Sequence, residues 1–270
     1  MSTADVSAKP LTELVSLKGR RAVVTGGGRG LGKAIAWRLA EAGADVLLGD
    51  LEEELALTAA ADIAEHHGVR AIGTAMNVAD GASVAAAAER AVTDLGGLEI
   101  WVNNAGVFPS VPLLEMSDDA WDEVFAVNAR GVFLGAREAA RRMERGVIVN
   151  IVSTAGFRGS APGLAAYVGS KHAVRGLTRE LALELAPQGV RVLGVAPSYV
   201  PTEGNMMAAA AMPADTPPPD DTPPTDLMLT SPIGRIGTPD DIARVALFCA
   251  SDLSNFMTGS TLLADGGTTA

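Results

Sequence analysis

Tyr167 and Lys171, in the pentapeptide YVGSK, are the residues whose types and spacing point most directly to chemistry. A separation of four places both side chains on one face of a helix, one turn apart. A tyrosine hydroxyl titrates at about 10 in water and is a poor base at neutral pH. A neighbouring ammonium favours the phenolate, so the spacing predicts a Tyr167 pKa lowered by Lys171. A phenol tuned in this way can exchange a proton with an alcohol or ketone oxygen. The plain alternative is two unrelated residues on a helix surface, so the pair needs a context.

An N-terminal strand, turn and helix supply that context. RAVVT, residues 21–25, is a short apolar β run; the glycine-rich TGGGRGLG of Thr25 to Gly32 follows, then a helical run to about Ala42. Glycine allows a tight turn and lets the backbone approach a pyrophosphate, while the helix N-terminus offers free N–H groups and its positive dipole end. Gly26, Gly30 and Gly32, with Arg29 and Leu31 between them, form the candidate phosphate cradle. Asp50 ends the next strand run about twenty residues on, where a carboxylate can bond both ribose hydroxyls of an adenosine and repel a 2′-phosphate. Leu51 follows, so no basic residue there receives such a phosphate; Arg29 is the nearby cation that argues the other way. Asp50 can also be read as the cap of the helix that follows.

The elements that must position these residues alternate regularly. Further strand runs fall at 44–50, 69–76, 98–104, 146–152, 190–196 and 260–265. Helical runs fall at 52–66, 81–95, Ser117 to Met143, 164–186 and 238–250. Apolar, β-branched strands alternating with helices imply an α/β, Rossmann-type, doubly wound fold, a mostly parallel sheet of seven strands with helices on both faces. A tail at 1–17 and a single domain at 18–270 are expected. Residues 208–226, AAAAMPADTPPPDDTPPTD, break the rhythm with six prolines and four aspartates. An inter-domain linker is one reading; because the rhythm resumes afterwards, a long substrate-facing surface loop at about 203–231 is the preferred one.

Composition narrows the classes. Of 270 residues 48% are hydrophobic but only 4% aromatic, so the core is built mainly of Ala, Val, Leu and Ile. The net charge of −11 argues against nucleic acid or an anionic membrane as partner. Cys249 is the only cysteine, so no intrachain disulfide forms and a metal site would lack a thiolate pair. No apolar run approaches the roughly 20 residues of a membrane span, and the first residues lack a basic-then-apolar secretory pattern. A cytoplasmic protein is expected. His66, His67 and His172 show no metal-ligand spacing, and no metal is expected. Ser153 has no G-x-S-x-G around it and does not read as a hydrolase nucleophile.

Taken in order, these motifs resemble the short-chain dehydrogenase/reductase family, over about Lys18 to Gly267. TGGGRGLG resembles the family's TGxxxGxG, Tyr167 and Lys171 its YxxxK, and ADGG at 264–267 its C-terminal DGG turn. NNAG at 103–106 resembles the segment that lines the cofactor cleft. The resemblance implies that Asn128 in VNARG and Ser153 in NIVSTAG complete a catalytic set with Tyr167 and Lys171. It implies NAD(H) as cofactor, held by the glycine-rich turn, Asp50, Leu51, Asn77, Val78, Asn104, Ala105, Gly106, Tyr167, Lys171, Pro197, Val200 and Thr202. Tyr167 would exchange the proton, Lys171 hold the nicotinamide ribose, Ser153 orient the substrate oxygen, and Asn128 anchor a water. Phe108 and Tyr199, with Ser153, would face a small-molecule substrate, expected to be a neutral, moderately hydrophobic secondary alcohol or ketone. Arg158 is the one possible anion contact. Family members pair their long helices between subunits, which implies a homo-oligomer, most simply a tetramer.

The sequence also departs from the family pattern. The stretch from Ser153 to Tyr167 is one residue longer than usual, Ser198 replaces a glycine after Pro197, Leu193 replaces an asparagine, and Asn77 replaces an aspartate. An epimerase or dehydratase using NAD internally, and a non-catalytic NAD(H)-binding scaffold, remain alternatives.

Overall fold

Val23, Leu47, Trp101, Ile148 and Val192 stand in register across five neighbouring strands and bury one face of a sheet; Val24, Leu48, Val102, Val149 and Leu193, one residue on, bury the other. This alternation is the two-residue period of extended chain, with apolar residues at both phases because helices cover both faces. The computed structural model describes residues 5–203 and 231–270. Its strands are β1 (Arg21–Thr25), β2 (Asp45–Asp50), β3 (Ala71–Ala75), β4 (Ile100–Asn103), β5 (Gly146–Ile151), β6 (Val190–Pro197) and β7 (Thr261–Ala264). They form one sheet in the order β3-β2-β1-β4-β5-β6-β7, every pair parallel.

The helices are α1 (Leu11–Val15), α2 (Gly30–Glu41), α3 (Glu53–His67), α4 (Gly81–Arg90), α5 (Asp118–Phe125), α6 (Gly131–Ala140), α7 (Ala165–Leu185) and α8 (Pro239–Ala250). α2, α3 and α8 pack on one face of the sheet, and α4, α6 and α7 contribute to the core on the other. The expected doubly wound, seven-stranded parallel sheet is therefore the one observed.

Local chemistry sets the element ends. Ser117 caps α5 by accepting from Ala120 N–H. Thr238 and Asp241 form a reciprocal capping box at α8, with Pro239 in its first turn. Two helices depart from the expected spans. The run from Ser117 to Met143 is not one helix: α5 and α6 are separated by a π-helical turn at Ala126–Arg130. The run 81–95 likewise ends in a π turn at Ala91–Leu95. A π turn is a single wider turn within a helical run, and apolar spacing locates such a run without resolving one turn inside it; such turns gather at functional sites. The Pro-rich segment read as a substrate loop at about 203–231 falls almost wholly on residues 204–230, outside the described residues.

A buried polar chain locks the sheet to α7. Trp101 Nε1 donates to Asn103 Oδ1 at 2.7 Å, Asn103 Nδ2 to Asn150 Oδ1 at 2.9 Å, and Asn150 Nδ2 to Thr178 Oγ1 at 3.0 Å. Thr178 Oγ1 donates on to the Val174 carbonyl at 2.8 Å. With every member partnered, these groups avoid the cost of a buried unsatisfied polar atom. Gly135 of α6 makes room for this chain: a Cβ there would lie 2.6 Å from Trp101 Nε1 and would overlap Asn103 Oδ1. Gly135→Ala is therefore expected to destabilise the fold by about 1–3 kcal/mol through overpacking, read as a lower urea midpoint.

Candidate active site

Consecutive strands lie on opposite sides of β1, with β2 and β3 to one side and β4 to β7 to the other. The crossovers on the two sides diverge and leave a crevice at the carboxyl ends of β1 and β4, where ligands bind in open α/β sheets. At this crevice Thr25, the last residue of β1, accepts from both Asn104 N–H and Ala105 N–H through its hydroxyl, each at 3.0 Å. Asn104 Nδ2 donates back to the carbonyls of Thr25 and Gly26, at 2.9 and 3.0 Å. The NNAG segment is thereby fastened to the glycine-rich turn.

The glycines of that turn are a steric necessity. Gly26 and Gly30 have φ of 61° and 56°, the left-handed region. A Cβ on Gly32 would run into the Gly26 carbonyl, and one on Gly28 would sit 2.7 Å from Leu55 Cβ. The result is a wall of bare backbone at the N-terminus of α2, with Leu31 in its first turn. Such a cradle fits the diphosphate of a dinucleotide. Thr202 stands across from it, 3.2 Å from where a Gly30 Cβ would be.

Asp50, at the end of β2, accepts from Gly28 N–H through Oδ2 at 2.9 Å and from Glu52 N–H through Oδ1 at 3.2 Å. It does not cap α3, whose N-cap is Glu52. Leu51 beside it is 74% exposed, a free apolar edge. Arg29 pairs with Glu52, Nη2 to Oε1, at 3.2 Å. Asn77 accepts from Ala79 N–H and caps the turn after β3, while Val78 is buried.

The candidate proton-handling groups gather at the carboxyl end of β5. Ser153, just past the strand, accepts from Ala155 N–H at 3.1 Å and hydrogen-bonds the Tyr167 side chain. Lys171 is 5% exposed; its ammonium donates to the Ile151 carbonyl at 2.9 Å and lies 5.7 Å from the Tyr167 ring centroid. Asn128 sits in the π turn, fully buried. Its Oδ1 accepts from Val107 N–H at 2.8 Å, and its Nδ2 donates to the Val107 carbonyl at 2.7 Å and to Ser170 Oγ at 3.1 Å. Ser170 Oγ donates on to the Tyr167 carbonyl at 2.7 Å. Gly106 lies against both groups: a Cβ there would be 3.2 Å from Asn128 Oδ1 and 3.7 Å from Lys171 Nζ.

Electrostatics correct one expectation. Tyr167 is not shifted down by Lys171; burial pushes its pKa up, and the Ser153 hydrogen bond offsets part of that rise. Burial also pushes Lys171 down, to about 8. For Tyr167 the cost of desolvation outweighs the charge of Lys171, whose ammonium is tied to the Ile151 carbonyl.

Around the acid–base groups lie apolar surfaces. Phe108 is half exposed and meets the Tyr167 ring edge-on, centroids 5.9 Å apart. Tyr199 is exposed, while Pro197 and the Val200 side chain are buried. Ser198, in place of the family's glycine, reaches the Asp265 carbonyl through its hydroxyl at 3.4 Å. Gly163 accepts from Val111 N–H at 2.9 Å, tying the lengthened segment after Ser153 to the loop that follows Phe108. Arg158 is exposed on that segment. Among the described residues no group of His, Cys, Asp and Glu could hold a metal ion, and no helix is long and apolar enough to cross a membrane.

Sequence reasoning missed Thr25, Ser170 and Glu52. Thr25 and Ser170 were inside the motifs already singled out, and a polar residue just before the glycines or beside Lys171 was their signal. Glu52 carried none, because its meeting with Arg29 is made only by the fold.

The comparisons agree with this geometry. Residues 26–269 match a family model described as enoyl-(acyl carrier protein) reductase. The chain is 41% identical over 257 residues to the 4-formylbenzenesulfonate dehydrogenase TsaC1/TsaC2 of Comamonas testosteroni, covering 94% of this chain and 99% of that one. It is 36% identical over 256 residues to the 3-oxoacyl-[acyl-carrier-protein] reductase FabG of Aquifex aeolicus, covering 94% and 98%. Among solved structures, a short-chain type dehydrogenase/reductase from Mycobacterium marinum superposes with a TM-score of 0.87 at 32% identity, covering 97% of this chain and all of that one. A gluconate 5-dehydrogenase from Burkholderia cenocepacia, in complex with NADP and tartrate, gives 0.86 at 36%, covering 96% and 99%. The fold and its crevice define a dinucleotide-binding α/β protein. This chain belongs to the short-chain dehydrogenase/reductase family.

The position of Lys171 carries a stability consequence. Its pKa falls from 10.5 to about 8 on burial. The cost of burying the charge is fully present below pH 8, where both folded and unfolded states are protonated. It is relieved as pH rises from 8 to 10.5, where the unfolded chain holds the proton that the folded one has released. Relative to Lys171→Met, the parent should therefore gain up to about 3 kcal/mol between pH 7 and pH 10. Denaturant melts of both proteins at the two pH values measure this.

Proposed function

We propose that this protein transfers a hydride between NAD(H) and a neutral, moderately hydrophobic secondary alcohol or ketone, with Tyr167 as the acid–base group. The observation that carries the reading is Ser153 hydrogen-bonded to the Tyr167 side chain with buried Lys171 one turn along α7, in a chain whose first strand also ends in the glycine cradle. The bound nicotinamide supplies the hydride donor or acceptor.

The chain's residues do the rest. Ser153 and Tyr167 converge on one point and orient the substrate oxygen there. In the reducing direction Tyr167 gives its hydroxyl proton to that oxygen; in the oxidising direction it takes the proton back. Its raised pKa suits it to the protonated role, so alcohol oxidation should need alkaline pH. Lys171 holds its charge at the base of the site, where it can meet the nicotinamide ribose. Asn128 and Ser170 fix the Val107 backbone and the Tyr167 turn relative to one another. Phe108 and Tyr199 offer apolar contact to the body of the substrate.

NAD rather than NADP follows from two carboxylates. Asp50 stands where the adenosine ribose is expected, and Glu52 neutralises Arg29. The Burkholderia relative binds NADP, so this preference is a property argued for this chain alone. A panel of secondary alcohols, followed at the reduced-nicotinamide absorbance, should show higher kcat/KM with NAD than with NADP. Tyr167→Phe should lower kcat by about 10²–10⁴ while leaving NAD affinity intact. Turnover within a fewfold of the parent would remove Tyr167 from this role. If carboxylated or sulfonated substrates outperform neutral ones, the apolar reading fails and Arg158 is the residue to replace.

The protein acts as a homo-oligomer, most simply a tetramer. A surface cavity of about 380 Å³ between α6 and α7, lined by Phe133, Arg137, Arg141, Leu181, Glu184 and Leu185, supports this assembly. It brings apolar and oppositely charged groups to one face. Light scattering at micromolar concentration should give a mass above that of the 27.6 kDa chain, and a monomer there would refute it.

A further inference from the structure

Asp50 lies at the centre of a small ring of contacts. Gly28 and Glu52 each donate a backbone N–H to its carboxylate, and Arg29 and Glu52, the side chains flanking those contacts, meet at 3.2 Å. Arg29 is the N-cap of α2 and directly follows Gly28, whose N–H Asp50 accepts. Both members of the pair are well exposed, at 41% and 59% of their side-chain surface, so neither is needed to hold the core. The next cation along α2, Lys33, is paired with Asp62 at 2.8 Å, and Arg38 is engaged by Glu41 and Asp240.

We infer that Glu52 is a cofactor-specificity residue that works by occupying Arg29. Without Glu52, a free guanidinium beside Asp50 would offer a bidentate partner to an adenosine 2′-phosphate and offset the repulsion from Asp50. With Glu52 in place, that guanidinium is already neutralised by its partner carboxylate. Asp50 selects for the 2′-hydroxyl directly, whereas Glu52 selects against the 2′-phosphate by removing its only local cation among the described residues. The exposed setting bounds the effect: an ion pair in water is weak, so release of Arg29 changes 2′-phosphate affinity by about two- to fivefold. The inference rests on the reading of Asp50 as the ribose carboxylate.

The test is a binding measurement that needs no turnover. Calorimetry on the full-length parent, Glu52→Gln, Arg29→Gln and the double variant uses two probes, adenosine 2′,5′-bisphosphate and adenosine 5′-monophosphate. Glu52→Gln should tighten the bisphosphate by about two- to fivefold and leave the monophosphate unchanged. The double variant should lose that gain. Unchanged bisphosphate binding in Glu52→Gln overturns the inference. So does a gain that persists in the double variant, because Glu52 would then act by its own charge and Arg29 would play no part. A separate arm probes the underlying reading: if Asp50→Ala leaves monophosphate affinity unchanged, Asp50 does not hold the ribose. That result is read independently of the coupling between Glu52 and Arg29.

Discussion

One hydroxyl joins the two halves of this molecule at the place where it acts. The sheet diverges between β1 and β4, and the crevice there exists because the chain leaves in opposite directions on either side. A crevice between diverging strand ends is a weak place, rich in backbone groups without ladder partners. Thr25 takes up two of them with one side chain, and Asn104 takes up two carbonyls in return. The bonds fix how far the NNAG wall stands from the glycine turn, and so set the width of the cleft. Asn128 then carries the constraint across: through Val107 it holds the end of the same wall, and through Ser170 the first turns of α7, where Tyr167 sits. The position of the phenol relative to the cradle is thus fixed by a continuous run of short hydrogen bonds from β1 to α7.

Burial, rather than charge pairing, governs the electrostatics of the acid–base pair. Lys171 and Tyr167 are each moved toward their neutral forms, the lysine down and the tyrosine up. On the proposed mechanism, these shifts favour donation of a proton from Tyr167 over acceptance of one. Anything that lowers the cost of charge in the cleft moves both groups back together, because a charged Lys171 and a phenolate stabilise one another. The spacing of four residues gives the opportunity for that coupling, and the depth of the site decides how much of it is realised.

The sheet was legible in the sequence because each strand is a short β-branched run between turn residues, and because glycines at fixed positions after β1 have one steric reading. Tyr167, Lys171, Asp50 and the glycine turn were legible for the same reason: local spacing places them. What was not legible depends on meetings between distant segments. Asn128 is buried in the π turn between α5 and α6, and apolar spacing locates a helical run without resolving one such turn inside it. The ladder through Asn103, Asn150 and Thr178 joins residues far apart in the chain. The pKa of Tyr167 was misread because i, i+4 geometry reports distance along a helix and says nothing of how much water the pair retains.

The same distinction explains why cofactor choice is harder to read than chemistry class. On the proposed reading the chemistry needs a phenol, a lysine and a serine at one point; Lys171 is held by the Ile151 carbonyl and Ser153 by the Ala155 N–H. Discrimination at an adenosine 2′-position needs only a balance of charge at an exposed rim, where each pair contributes little and neighbours compensate. Arg29 alone argues for a phosphate and Asp50 alone against it. With Glu52 drawn to Arg29 by the approach of α3 to the glycine turn, the rim holds two carboxylates against one guanidinium. A balance of that kind shifts with a single exposed substitution, whereas the buried network around Asn128 and Ser170 does not. Within one fold, therefore, the site that performs the chemistry is constrained by packing, and the site that chooses the cofactor is constrained by little more than local charge.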